Sequence, residues 1–174
     1  MPDRLSLPPA SAAPSPAAGL RAPARPPRQD PIRWTLPGFC EGTRITTSFG
    51  DLPIQALRRR DPLRTREGTL SQVEWVDCIQ LDEEFVRANP DALPVRIPAG
   101  TFGPNRPERD LVVSPQQMVD VSTVQFRSDF RMARDLLDHP GVMRAPSMIL
   151  KYYVFHCGQT ATVRAEGLCV RVNP

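Results

Sequence analysis

Hydrophobic and polar positions along this chain alternate in short bursts. Arg44-Ile45-Thr46-Thr47, Leu63-Arg64-Thr65-Arg66 and Val73-Glu74-Trp75-Val76-Asp77-Cys78-Ile79 follow a period of about two, at which successive side chains face opposite sides of a strand. Pro94 to Pro98, Asp110 to Ser114, Met148 to His156, Thr160 to Arg164 and Leu168 to Val172 read the same way. Turn chemistry separates them, at Phe49-Gly50-Asp51-Leu52-Pro53 and at Glu67-Gly68. Many short strands between turn signals predict an all-β domain. Helical spacing is scarce. Leu81 to Ala88 predicts one or two turns, with Asp82 as cap and Asn89-Pro90 as stop. Phe130 to Asp138 sets Phe130, Ala133, Leu136 and Leu137 on one helical face, ended by His139-Pro140-Gly141.

Residues 1–31 break the pattern. They hold nine prolines and seven alanines, with no aromatic or β-branched residue. Such a stretch cannot bury enough surface to offset its ordering entropy, so a disordered, partly polyproline-II tail is expected over 1–31 and a β domain over 32–174. The total of 174 residues suits one domain with a tail. The 21 prolines exclude a helix bundle or coiled coil. No apolar run reaches the ~18 residues of a membrane span. The first residues, Met1-Pro2-Asp3-Arg4-Leu5-Ser6, lack a basic start followed by an apolar run. No Sec signal and a cytoplasmic location are therefore expected, with non-classical export left open.

Net charge is +3, and Lys151 is the single lysine. The arginines are scattered apart from Arg58-Arg59-Arg60, which reads as a solvated turn, and no stacking platform accompanies them, which argues against nucleic-acid binding. The four cysteines, Cys40, Cys78, Cys157 and Cys169, form no C-x-x-C pair, and His139 and His156 complete no zinc spacing. Free thiols are expected, with no metal and no cofactor. Trp34, Phe39, Trp75 and Phe155 are expected in the core or at its edge.

Three segments together resemble one family. Gly38-Phe39-Cys40-Glu41-Gly42-Thr43-Arg44-Ile45-Thr46-Thr47 is similar to the opening strand, C-F-x-x-G-T-x-I-x-T, of the Hint domains, the hedgehog/intein autoprocessing fold, in its compact bacterial form. Ala88-Asn89-Pro90, Pro94-Val95-Arg96-Ile97-Pro98-Ala99-Gly100 and Arg109-Asp110-Leu111-Val112-Val113-Ser114-Pro115-Gln116-Gln117 resemble its A-N-P…P-V-R-I-x-A-G…R-D-L-x-V-S-P-x-H. Tyr152-Tyr153 through Ala165-Glu166-Gly167-Leu168 resemble its closing Y-Y…D-R-H-x-V-x-x-A-E-G-L. The likeness spans roughly residues 32–170 and implies a twisted, two-lobed, all-β fold with one or two short helices.

The resemblance also implies a chemistry, the N-to-S acyl shift. A thiol at the first position attacks the preceding carbonyl, a histidine after the S-P turn acts on the scissile amide, and a second histidine moves protons. All three positions differ here. The nucleophile position is Gly38, which has no side chain. The first histidine position is Gln117, which cannot take up a proton near neutral pH, and the second is Thr160. Such groups act as a unit, so a fold that has lost self-processing and serves as a binding or structural module is expected. No partner can be read from the sequence. The alternative is residual self-cleavage at or near Pro37–Cys40. Cys40 shares a strand face with Gly38, and His156 precedes Thr160 by four residues on one strand face, so each is a candidate relocated group. Against this, a two-residue displacement is ~6.6 Å along a strand, and misplacement by about 1 Å can cost 100-fold.

Overall fold

The computed structural model describes residues 34–124, 126–147 and 149–174. The expected tail over 1–31 lies outside the described residues. The described residues are mostly β, as the alternation predicts. The strands are β1 (Arg44–Thr47), β2 (Gly50–Pro53), β3 (Pro62–Arg64), β4 (Leu70–Gln72), β5 (Trp75–Leu81), β6 (Val95–Ile97) and β7 (Leu111–Val113). They continue with β8 (Met118–Asp120), β9 (Phe130–Met132), β10 (Met143–Arg144), β11 (Leu150–His156), β12 (Ala161–Ala165) and β13 (Leu168–Val172). One α-helix, α1 (Glu83–Ala88), follows β5, and the Asp82 carboxylate caps it by accepting from the Phe85 N–H at 2.7 Å.

The larger sheet runs β4-β3-β1-β12-β13-β8-β9, with β2 hairpinned onto β1. Beside it lie a three-stranded sheet, β10-β6-β7, and a two-stranded ribbon, β11-β5. Every pairing is antiparallel. The central hairpin shows why these residues make strands. Ala161, Val163 and Ala165 of β12 and Leu168, Val170 and Val172 of β13 face the core, alternating with more exposed residues. Glu166 and Gly167 turn it with φ of 47° and 78°, the positive values that a two-residue turn needs. Arg44 holds Glu166 in that conformation, donating from its backbone N–H at 2.7 Å and from its guanidinium at 3.1 Å.

The main core gathers Phe39, Ile45, Ile54, Leu63, Ile97, Leu111, Phe155 and Leu168 among others. A second, smaller cluster holds Trp34, Leu81, Val86, Ala92, Leu150 and Tyr152, with Cys40 packed against it.

Several expectations change. Phe49 to Pro53 is not simply a turn: Gly50–Pro53 pairs residue for residue with β1, from Thr47↔Gly50 to Arg44↔Pro53. Phe130 to Asp138 is not a helix. Phe130–Met132 pairs with β8 and only Ala133–Leu136 coils, as a 3-10 turn. The open edge of β8 outcompetes the local helical spacing, although Ala133 and Leu136 still end up buried. Trp75 is 44% exposed rather than in the core, whereas Trp34, Phe39 and Phe155 are buried. Arg58-Arg59-Arg60 is exposed, as a solvated turn should be. No helix among the described residues is long and apolar enough to cross a membrane.

Candidate active site

The Ser114-Pro115 turn leaves β7 beside the segment Trp34–Cys40, which threads between β7 and β11. Phe39 bridges Val113 on one side and Tyr153 on the other. Its N–H donates to the Tyr153 carbonyl at 2.9 Å and its carbonyl accepts from the Tyr153 N–H at 2.8 Å. The Cys40 N–H donates to the Val112 carbonyl at 3.0 Å, and the Ser114 N–H donates to the Gly38 carbonyl at 2.8 Å.

Upstream of Gly38 the chain stays tied down. The Ser114 hydroxyl donates to the Leu36 carbonyl at 2.5 Å and accepts from the Trp34 indole N–H at 3.0 Å. The Gln116 side-chain amide donates to the Trp34 carbonyl at 2.7 Å. The Trp34 ring stacks on Tyr152 at 5.5 Å and meets Phe85 edge-on at 6.2 Å. The Tyr152 hydroxyl donates to the Ala92 carbonyl at 2.6 Å, and burial pushes its pKa up. Trp34 is therefore built into the second core cluster, while Thr35 and Leu36 stay exposed, Leu36 tethered through its carbonyl.

Gly38 itself is buried and closely covered. A Cβ added there would sit 3.2 Å from the Tyr152 Cβ and 3.3 Å from the Tyr153 carbonyl oxygen. Both neighbours belong to a paired strand and cannot swing aside, so the position holds no side chain without moving β11. Gln117 is 1% exposed, and its amide nitrogen donates to the Arg171 carbonyl at 2.8 Å and the Met118 carbonyl at 3.2 Å. Its backbone N–H donates to the Ser114 carbonyl at 3.0 Å. Gly38 and Gln117 are thus each one hydrogen bond from Ser114. Thr160 stands apart. It is exposed, and its hydroxyl donates to the Asn173 side chain at 3.1 Å. It precedes β12 and Gln117 precedes β8, with β13 between them, a separation of roughly 9.5 Å at ordinary strand spacing. No hydrogen bond among the described residues joins Thr160 to Gly38 or Gln117.

The two relocated candidates fare differently from the strand-face expectation. Cys40 packs against the Tyr152 cluster and lines a cleft of about 460 Å³ with Glu41, Val112 and Lys151. Burial pushes its thiol up to about 12, so the nucleophilic thiolate is scarce at neutral pH. His156 does not share a strand with Thr160. It ends β11, a turn over 157–160 intervenes, and β12 begins at Ala161. Its Nδ1 accepts the Gly158 N–H at 3.0 Å and its ring stacks on Trp75 at 5.6 Å. None of the four cysteines is in a disulfide.

Sequence reasoning missed the strap made by Trp34, Ser114 and Gln116. The available signal was a single tryptophan at the border of the proline-rich stretch, three residues before Pro37. Nothing local announces that it docks on a turn 80 residues away.

This geometry can be set against known proteins. Among solved structures the chain is similar to the MchDnaB-1 intein, at 9% identity and a TM-score of 0.48, covering 78% of this chain and 99% of that one. It is also similar to a variant of the Ssp DnaB mini-intein, at 8% identity and a TM-score of 0.47, covering 82% and 97%. No curated protein matches its sequence. The family model described as "Hint domain" matches residues 37–171. That match covers most of the 174 residues, and the chain belongs to the Hint-domain family.

Proposed function

We propose that this Hint domain has kept its scaffold, given up self-cleavage, and acts as a binding or structural module. The observation that carries the reading is the strap. In an autoprocessing domain the residues before the nucleophile are a passenger that leaves. Here Trp34 lies four residues ahead of Gly38, outside the matched span, yet it is 8% exposed in a core cluster and bonded to Ser114 and Gln116. Cutting at Gly38 would remove part of the fold. The tight space at Gly38 supports the same reading, because a side chain there would press on Tyr152 and on the Tyr153 carbonyl of β11. Gln117 supports it too: its amide is spent on two backbone carbonyls and has no proton to exchange near pH 7.

Relocated cleavage by Cys40 is opposed by its raised pKa and by its distance in sequence from the bond that the family cuts. Intact-mass spectrometry of freshly purified protein, with and without dithiothreitol or hydroxylamine, tests the reading. One species at the full-chain mass under all conditions is the expected result. A fragment beginning at Gly38 or Cys40, released faster by either reagent and absent from Cys40→Ala, would overturn it.

A further inference from the structure

The ribbon of β5 and β11 has one closed side and one open side. On β11, both main-chain groups of Tyr153 bond to Phe39, so they point away from β5. Tyr153 lies opposite Cys78, which makes that a non-hydrogen-bonded pair within the ribbon. By alternation Trp75, Asp77, Ile79 and Leu81 bond inward, and Val76, Cys78 and Gln80 turn their N–H and carbonyl groups outward. Among the described residues no strand pairs with that outer edge. The outward N–H of Cys78 is met instead by the adjacent Asp77 carboxylate at 2.8 Å. A seven-residue edge that is this open is a template for another strand.

The chemistry around the edge selects the occupant. From Gly68 to Val86 the chain carries Glu74, Asp77, Asp82, Glu83 and Glu84 and no lysine or arginine, within a chain of net charge +3. All five carboxylates are on exposed residues. Glu83 is engaged by Arg87 at 2.6 Å, and Lys151 on β11, opposite Gln80, is the cation of the paired strand. Asp82 caps α1 and Asp77 accepts the Cys78 N–H, each on an exposed residue, and Glu74 and Glu84 are exposed beside them. Trp75, stacked on His156, offers a flat apolar contact at one end of the strand.

We propose that the outer edge of β5 docks an extended, arginine- or lysine-bearing segment of a partner protein, which adds to it as a third strand. The outward carbonyls of Val76, Cys78 and Gln80 accept from the incoming strand, and the N–H groups of Val76 and Gln80 donate to it. A carbonyl of the peptide replaces Asp77 on the Cys78 N–H, and the freed carboxylate pairs with a cationic side chain of the peptide. Main-chain bonds supply the register and the carboxylates supply the preference for positive charge.

The test uses the full chain, isotope-labelled, and a capped seven-residue peptide alternating arginine with threonine. Saturable amide shifts confined to residues 74–82, with new exchange protection at Val76 and Gln80, are expected. The glutamate–threonine counterpart should leave the spectrum unchanged. Gln80→Pro removes an outward N–H without breaking the β11 ladder, and it should weaken binding at least tenfold. Asp77→Lys, a surface charge reversal that leaves every ladder bond in place, should do the same. Several results would overturn the proposal: no shifts on β5, equal binding of both peptides, or undiminished binding by both variants. So would protection of Val76 and Gln80 in the free monomer, because the edge would already be filled. Concentration-dependent dimerisation through β5 without peptide would assign the edge to a second copy instead.

Discussion

The Gly38 centre and the β5 edge treat their polar groups in opposite ways. Around Gly38, the Leu36, Gly38 and Phe39 carbonyls, the Trp34 indole and the Gln117 amide all have partners inside the domain. Along β5, three residues turn their main-chain groups toward solvent, and one N–H is met only by its neighbour's side chain. A centre that must bind a transition state keeps donors unspent for the charge that develops there. The Trp34 and Gln117 donors are already committed to the fold, which fits the proposed loss of self-cleavage. On that proposal, the contrast points to the ribbon of β5 and β11 as the place where main-chain groups are free to bind a partner.

The sharpest way to break the comparison is to remove the strap. Trp34→Ala deletes a stacked, hydrogen-bonded side chain from the second core cluster and should cost about 3–5 kcal/mol. Thermal or urea unfolding followed by circular dichroism measures it. A passenger residue would change stability by no more than about 0.5 kcal/mol. A value that small would return Trp34 to the status of a leaving segment.

Next in size is the difference between two cysteines. Cys40 sits beside the closed centre with its thiol pushed up to about 12, while Cys78 is exposed on the open edge. The thiolate is the reactive form, so against an ordinary thiol near 8.5 Cys40 holds roughly 10³-fold less of it at neutral pH. Brief treatment of native protein with iodoacetamide at neutral pH, followed by peptide mapping, should label Cys78 and spare Cys40. Raising the pH should speed Cys40 by about tenfold per unit for as long as its pKa lies above the pH and the fold persists. Equal labelling at pH 7 would mean that the sulfur at the centre is available after all.

How far these regions were legible in the sequence follows from the range of the interactions that make them. The β12–β13 hairpin could be read because alternation and the Glu166-Gly167 turn are local. The Hint likeness could be read because its motifs are contiguous, and Gly38 as the position of the family's nucleophile is what that likeness implies. The strand at Phe130–Met132 could not be read, since its partner β8 decides against a helical spacing that is real but outvoted. Trp34 was legible only as a buried aromatic, because its anchors at Ser114 and Gln116 lie 80 and 82 residues away. His156 and Thr160 looked like strand neighbours until the intervening turn separated them. The phase of the β5 edge depends on the Phe39–Tyr153 hydrogen bonds, which no alternation pattern records.

A smaller effect tests whether the centre is closed or merely lacks its nucleophile. Gly38→Cys supplies a thiol at the proposed nucleophile position, but its Cβ would press on Tyr152 and the Tyr153 carbonyl. A destabilisation of about 1–3 kcal/mol is expected, as for other overpacked cores. No cleavage should appear by intact mass, even when Gln117→His and Thr160→His are added. Release of a fragment from the triple variant would show that the space opens readily.

The smallest effect belongs to the edge. Asp77→Ala takes the carboxylate from the Cys78 N–H, and because that group faces solvent, water replaces the lost acceptor. Stability should change by no more than about 0.5 kcal/mol. The exchange rate of the Cys78 amide should rise, while Ile79 and Asp77, bonded inward to β11, keep theirs. Amide exchange followed by NMR separates these residues one by one. If Cys78 stayed as protected as Ile79 after the substitution, some other group would already be bonded to it, and the edge of β5 would not be open there.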